Sequence, residues 1–217
     1  MSLAIFDLDN TLLGGDSDHS WGEFMVERKI VDEISFKKAN DQFYEDYKAG
    51  NLDIEAYVAF ALAPLRTLST QQQQQFQAAF LEQKIKPLML PKAQALIDKH
   101  RAAGDTLMII TATNRIITAP IAELLGIEIL LATDPEIING EITGKIDGIP
   151  CFQDGKVQRL ALWMENTNET LDGSYFYSDS FNDIPLLEQV SYPYAVDPDE
   201  KLEKHARSHG WPVISLR

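Results

Sequence analysis

Six short apolar runs, near residues 3–7, 106–111, 128–132, 174–178, 192–196 and 213–216, punctuate the chain, and most are separated by stretches of helical periodicity. Strands and helices in alternation bury their apolar faces by laying helices over a mainly parallel sheet, so the expected class is α/β. The one long departure lies between the first two runs, where the pattern becomes helical throughout. Ser20-Trp21-Gly22-Glu23 is a possible capping box, and Phe36, Ala39, Phe43 and Tyr47 recur at helical spacing. Gly50 stops that helix, Asp53 caps a third and Thr70 a fourth. The glutamine run at residues 71–75 reads as a solvated helix face, because Phe76, Phe80 and Leu81 follow in register. Pro87 and Pro91 bracket the return to the core. The expected division is therefore a core of residues 1–15 and 88–217 and a helical block of residues 16–87. Residues 138–146 alternate about Asn139-Gly140 and read as a hairpin; no internal repeat is visible.

Directly behind the first apolar run stands Asp7-Leu8-Asp9-Asn10-Thr11. Positions i and i+2 of a strand share a side, so Asp7 and Asp9 can both face the cleft at the strand's carboxyl end, the usual ligand position in open α/β sheets. A solvated turn has the same local composition, so the reading leans on three further segments. Leu107-Met108-Ile109-Ile110-Thr111 is an apolar strand ending in a hydroxyl that can donate to a phosphate oxygen, or simply cap the next helix. Asp154-Gly155-Lys156 opens an amphipathic helix and can aim an ammonium back at the cleft, although a solvated lysine would look alike. Residues 175–183 form another strand closing on Asp179 and Asp183, with Asn182 between them, as a second set of metal-ligand candidates.

In this order the four segments resemble the motifs of the haloacid dehalogenase superfamily of phosphohydrolases, from Asp7 to Asp183. The roughly hundred residues between the first and second motifs are similar to the helical-cap branch that contains phosphoserine phosphatase. Asp16-Ser17-Asp18-His19-Ser20-Trp21, Ile110-Thr111-Ala112-Thr113-Asn114 and Tyr177-Ser178-Asp179-Ser180 further resemble a bacterial, histidinol-phosphatase-like group within it. The resemblance implies a Rossmann-like, mainly parallel sheet core with an inserted helical cap.

A phosphate monoester dianion repels a carboxylate nucleophile, so attack by Asp7 needs a divalent cation and positive donors around the phosphoryl oxygens. Mg²⁺ suits: it is hard, takes oxygen ligands and is commonly held by one or two carboxylates plus substrate phosphate. Asp7 and Asp179 are the expected side-chain ligands. By resemblance the Asp9 main-chain carbonyl is a third, and Asp183 orients a metal-bound water or Lys156 from behind. Asp7 is then expected to form an aspartyl-phosphate while Asp9 serves as acid and base. Thr111, Lys156 and Asn182 are expected to hold the phosphoryl oxygens, together with the main-chain N–H groups after Asp7 and of Ala112.

Asp16, Asp18, His19 and Trp21 put acidic and aromatic groups at the cap entrance, where an amine or imidazole can be read by charge and stacking. This favours an amino-alcohol phosphate such as histidinol phosphate over phosphoserine, whose carboxylate would want a basic partner; a helix-start cap and a core anchor are the plain alternatives for His19 and Trp21. With 19 basic against 33 acidic residues the net charge is −14, and no basic stripe exists to displace counterions from a nucleic acid. Cys151 is the single cysteine, so no intrachain disulfide forms. The run from Met1-Ser2 into a strand carries no export or membrane segment, and a cytoplasmic location is expected. Oligomeric state and pathway are not encoded in any feature of the sequence.

Overall fold

A computed structural model describes residues 2–217; residue 1 lies outside the described residues. Six strands form one sheet in the order β3-β2-β1-β6-β7-β8, and every neighbouring pair is parallel. They are β1 (Leu3–Phe6), β2 (Thr106–Asn114), β3 (Ile129–Thr133), β6 (Tyr175–Ser178), β7 (Tyr192–Val196) and β8 (Val213–Ile214). β4 (Pro135–Ile138) and β5 (Glu141–Ile146) make the hairpin, with Asn139 and Gly140 at φ +54° and +83°, the left-handed pair that an Asn-Gly turn supplies.

Strand residues are apolar on both faces because helices cover both. Ala4, Phe6, Ile109 and Tyr177 pack with α5 (Pro91–Ala103) and α6 (Arg115–Leu125). Leu3, Ile5, Met108, Ile110 and Phe176 pack with α7 (Asp154–Glu165), α8 (Ile184–Leu187) and α9 (Glu200–His209). From β1 the chain winds out through β2 to β3 and later returns to β6 on the other side of β1, so the switch point lies between β1 and β6, where a cleft opens beyond the carboxyl ends.

Between β1 and α5 the chain is helical: α1 (Ser17–Glu27), α2 (Glu33–Ala49), α3 (Ile54–Leu62), α4 (Thr70–Phe80) and short irregular turns up to Leu88. The two connections to this insert run side by side, joined by an antiparallel bridge between Leu13 and Met89 and by Gly14 N–H donating to Leu88 O at 2.7 Å. Two expected starts are displaced. α1 begins at Ser17 with Asp16 as its cap, accepting from His19 N, so Ser20 and Glu23 lie inside the helix and form no capping box. α4 is capped by Ser69 in a capping box with Gln72, and Thr70 is its first residue. Gly50 at φ +83° and the Asp53 cap stand where the sequence places them. No helix among the described residues is long and apolar enough to cross a membrane.

Candidate active site

The main chain just past β1 keeps its sheet pairing for one more residue, Asp7 N–H donating to Tyr177 O at 2.9 Å, which fixes Asp7 at the rim. Lys156 meets it from α7. The start of that helix admits only glycine at 155, where a Cβ would fall 2.0 Å from Pro150 O. The buried Lys156 ammonium lies 2.8 Å from Asp7 Oδ1 and 2.7 Å from Asp183 Oδ1. Asp183 is held in turn by the Ser178 hydroxyl at 2.6 Å. Asp179 is tied to the first loop by Thr11, whose hydroxyl donates to Oδ1 at 3.1 Å and accepts Asp179 N–H at 3.0 Å. Asp9 is held at both oxygens, by Ser17 N–H at 2.6 Å and the Thr113 hydroxyl at 2.8 Å. Asp7, Asp9, Thr111, Ala112 and Thr113 share one cavity, with Lys156, Asp179 and Asp183 grouped around Asp7.

Burial dominates the electrostatics. It raises Asp7 to about 7 against the downward pull of Lys156, and raises Asp9 to about 7 with Asp16 adding to it and Ser17 and Thr113 opposing. Asp179 is pushed well above the carboxylate range by burial and then by Asp7 and Asp183. Burial alone would lower Lys156, but Asp183 and Asp7 outweigh it and hold the ammonium above its usual range. Several carboxylates thus crowd one cation. The donors around Asp7 and Asp179 are all oxygens, the chemistry that a hard divalent ion such as Mg²⁺ takes. Among the described residues no three His, Cys, Asp or Glu side chains converge as a ready-made cage, so an ion here would draw on main-chain, water and substrate oxygens as well.

The cavity lies between the strand ends and the insert. Its lining includes Asp16, Asp18 and His19 together with Phe43, Tyr44 and Tyr47 of α2 and Tyr57 of α3, and no lysine or arginine. Asp18 Oδ1 is buried without a partner, and burial, then Asp16 and Asp9, lift this carboxyl well above its usual range. Asp16 both lines the cavity and caps α1. His19 Nε2 lies 3.1 Å from Asp41 Oδ1, with its ring 4.8 Å from that of Tyr44.

Several of the expected residues lie outside this lining. Trp21 does not line the cavity: it is 1% exposed and packs edge-on to Phe76 and Phe80, the core-anchor alternative. Asn182 is not among the lining residues, and neither are Lys156, Asp179 and Asp183, which group around Asp7. The Asn182 amide donates to Tyr47 O at 3.3 Å and Ser180 Oγ at 3.2 Å, because the short 3₁₀ turn Phe181–Asp183 points it at the end of α2. Arg28, hydrogen-bonded to Gln83, and Arg66 are likewise absent from the lining. The residues that sequence reasoning passed over are Thr11 and Thr113, which hold carboxylates, and Tyr44 and Tyr57. The signal for the tyrosines is thin: Phe43, Tyr44 and Tyr47 at i, i+1 and i+4, more hydroxylated than a core face requires.

Comparison with known proteins places this geometry. A histidinol-phosphatase of Neisseria meningitidis serogroup C is 42% identical over 220 residues, covering 100% of this chain and 99% of that protein. A phosphoserine phosphatase of Mycobacterium tuberculosis is 30% identical, covering 99% of this chain and 70% of the relative. The crystal structure of a protein of unknown function from Bordetella pertussis Tohama I superposes with a TM-score of 0.93 at 40% identity, covering 100% and 99% of the two chains. A substrate-bound phosphoserine phosphatase shares the fold at a TM-score of 0.72 and 15% identity, covering 100% and 93%. The description that matches residues 4–188 is haloacid dehalogenase-like hydrolase, and the chain belongs to that family.

Proposed function

We propose that the protein is a Mg²⁺-dependent phosphomonoesterase that works through an aspartyl-phosphate on a small cationic amino-alcohol phosphate, with L-histidinol phosphate ranked first. The phosphatase reading is carried by Lys156 between Asp7 and Asp183, beside Asp9, at the switch point of a parallel sheet. The substrate ranking is supported by the buried Asp18 carboxyl, one oxygen of which has no partner, in a cavity lined by aromatic rings and by no lysine or arginine. The name of the Neisseria relative agrees with it. Phosphoserine brings a suitable amine, but its carboxylate would enter this cavity without a cation to meet it.

In this reading residues 16–87 are a cap over a core of residues 1–15 and 88–217. Lys156 fixes the Asp7 carboxylate and shares its charge with the incoming phosphoryl oxygens, helped by Thr111 and the Ala112 N–H. Asp7, the Asp9 main-chain carbonyl and Asp179 would hold the metal, with Asp183 supporting Lys156 from behind. When bound, Mg²⁺ supplies charge neutralisation, so that an anionic nucleophile can approach a dianion. An Asp7 oxygen attacks phosphorus, the bond from phosphorus to the ester oxygen breaks, and Asp9 gives its proton to the leaving alkoxide. Asp9 then takes a proton from the water that attacks the phosphoryl group, releasing inorganic phosphate and restoring Asp7. At about 7, the Asp9 carboxyl suits both halves of this exchange at neutral pH.

Phosphate release measured with Mg²⁺ against histidinol phosphate, phosphoserine and sugar phosphates, with and without chelator, tests the proposal. Preferred release from histidinol phosphate, abolished by chelation, is expected. A preference for phosphoserine or a sugar phosphate overturns the substrate, and full turnover in excess chelator overturns the metal.

A further inference from the structure

Gln153 stands three residues before Lys156 with φ +49° and ψ −123°, a conformation that favours glycine over any residue with a Cβ. A strained glutamine persists where its side chain holds neighbouring elements in place. Its amide nitrogen donates 3.0 Å to Asn182 Oδ1 and reaches Gly50 O, at the end of α2, at 3.4 Å. Because the Asn182 oxygen accepts from Gln153, its nitrogen is turned outward, toward Tyr47 O and Ser180 Oγ. The Gln153 main-chain carbonyl meanwhile receives Lys156 N–H at 3.0 Å, at the start of α7.

The same end of α2 is gripped twice more. Phe181 lies so close to Gly50 that a Cβ there would come within 2.8 Å of its ring. Lys201 Nζ sits 3.8 Å from the Phe181 ring centroid and 3.4 Å from Ala49 O. The carbonyls of Tyr47, Ala49 and Gly50 stand at the carboxyl end of α2; Tyr47 O accepts Gly50 N–H at 3.0 Å, and side chains of the core supply donors to all three. The last two turns of the same helix carry the Phe43, Tyr44 and Tyr47 wall of the cavity.

We propose that Gln153 is a positioning residue that pins the end of α2 to the core beside Lys156, and thereby holds the aromatic wall against the reaction cavity. Its kinetic consequence rests on the phosphatase reading; the pinning itself does not. Two variants separate this role from fold maintenance. Gln153→Gly removes the side chain while relaxing the backbone, and Gln153→Glu keeps the size but loses both donated hydrogen bonds. In each, amide hydrogen exchange at residues 43–50 is expected to quicken about tenfold relative to parent, with α5 to α9 unchanged and, for the glycine variant, no loss of melting temperature. Under the phosphatase reading, KM for histidinol phosphate rises several-fold with kcat less affected. Exchange at residues 43–50 equal to the parent's overturns the proposal, as does faster exchange spread evenly through the core with a lower melting temperature. The exchange result stands whether or not the parent hydrolyses any ester, so the failure of one reading is distinguishable from the failure of the other.

Discussion

Replacing Lys156 by methionine keeps the length of the side chain and deletes the one cation between Asp7 and Asp183. In the native protein its side chain is 3% exposed and those of Asp7 and Asp183 are 6% and 2% exposed, so solvent does little to compensate the loss. Removing one partner from a buried ion pair costs about 3–5 kcal/mol, because the remaining charge is left without a counterion. A chain of this size loses about 2–4 °C of melting temperature per kcal/mol, so the variant should melt roughly 6–20 °C below the parent at pH 8. Acid should recover part of that loss. Burial already raises Asp7 to about 7 with Lys156 in place, and without the lysine it lies higher still. A carboxyl whose folded value exceeds its unfolded value contributes stability below the unfolded value and loses it as pH rises through the folded one. The gap between variant and parent should therefore narrow from pH 8 to pH 5, and Asp183→Asn in the same background should narrow it further. Differential scanning calorimetry of the metal-free proteins measures this directly. A Lys156→Met protein that melts within about 2 °C of the parent at pH 8, less than the shift expected from even 1 kcal/mol, would refute the buried ion triplet.

Asp18→Asn should raise the melting temperature of the free protein, since it removes a buried carboxyl with an unpartnered oxygen, yet cut kcat/KM for histidinol phosphate by roughly 10–100-fold, the worth of a hydrogen bond to a charged group, with little effect on p-nitrophenyl phosphate. Equal losses on both esters would make Asp18 a structural residue only. Thr113→Val, which removes the donor to Asp9 Oδ2, should lower kcat by about 10–100-fold with KM little changed, whereas Thr113→Ser keeps most activity; identical rates for the two variants would contradict the role. Trp21→Ala should cost about 3–5 kcal/mol of stability in urea titration while the folded enzyme keeps its KM, and a KM rise without destabilisation would return Trp21 to the substrate.

Much of the fold was legible because its signals are local. The strands declare themselves as apolar runs, and Gly50 and Asp53 end and start helices by chemistry that acts within one turn. The start of α1 was not legible, since Asp16, Ser17 and Ser20 are all acceptable caps, and only Asp9, by accepting Ser17 N–H, selects among them. Ser69 and Thr70 differ by one residue for the same reason, two hydroxyls competing for one cap. Within the site, Asp7, Asp9 and Lys156 could be named from their positions at strand and helix ends. The Tyr44 and Tyr57 wall depends on the rotational phase of α2 and α3 over the core, which hydrophobic periodicity does not distinguish from burial in the insert. Asn182 was named for its place in a motif, but its orientation is set by Gln153, 29 residues earlier and in a conformation that no propensity favours.

The central claim is that the phosphoryl group passes through Asp7 before it reaches water. Two in-line displacements at phosphorus restore its configuration, whereas a single attack by water inverts it. The direct measurement is the steric course of hydrolysis of a phosphate ester made chiral at phosphorus with oxygen isotopes or sulfur. Net retention is the result this account predicts, and inversion would contradict it.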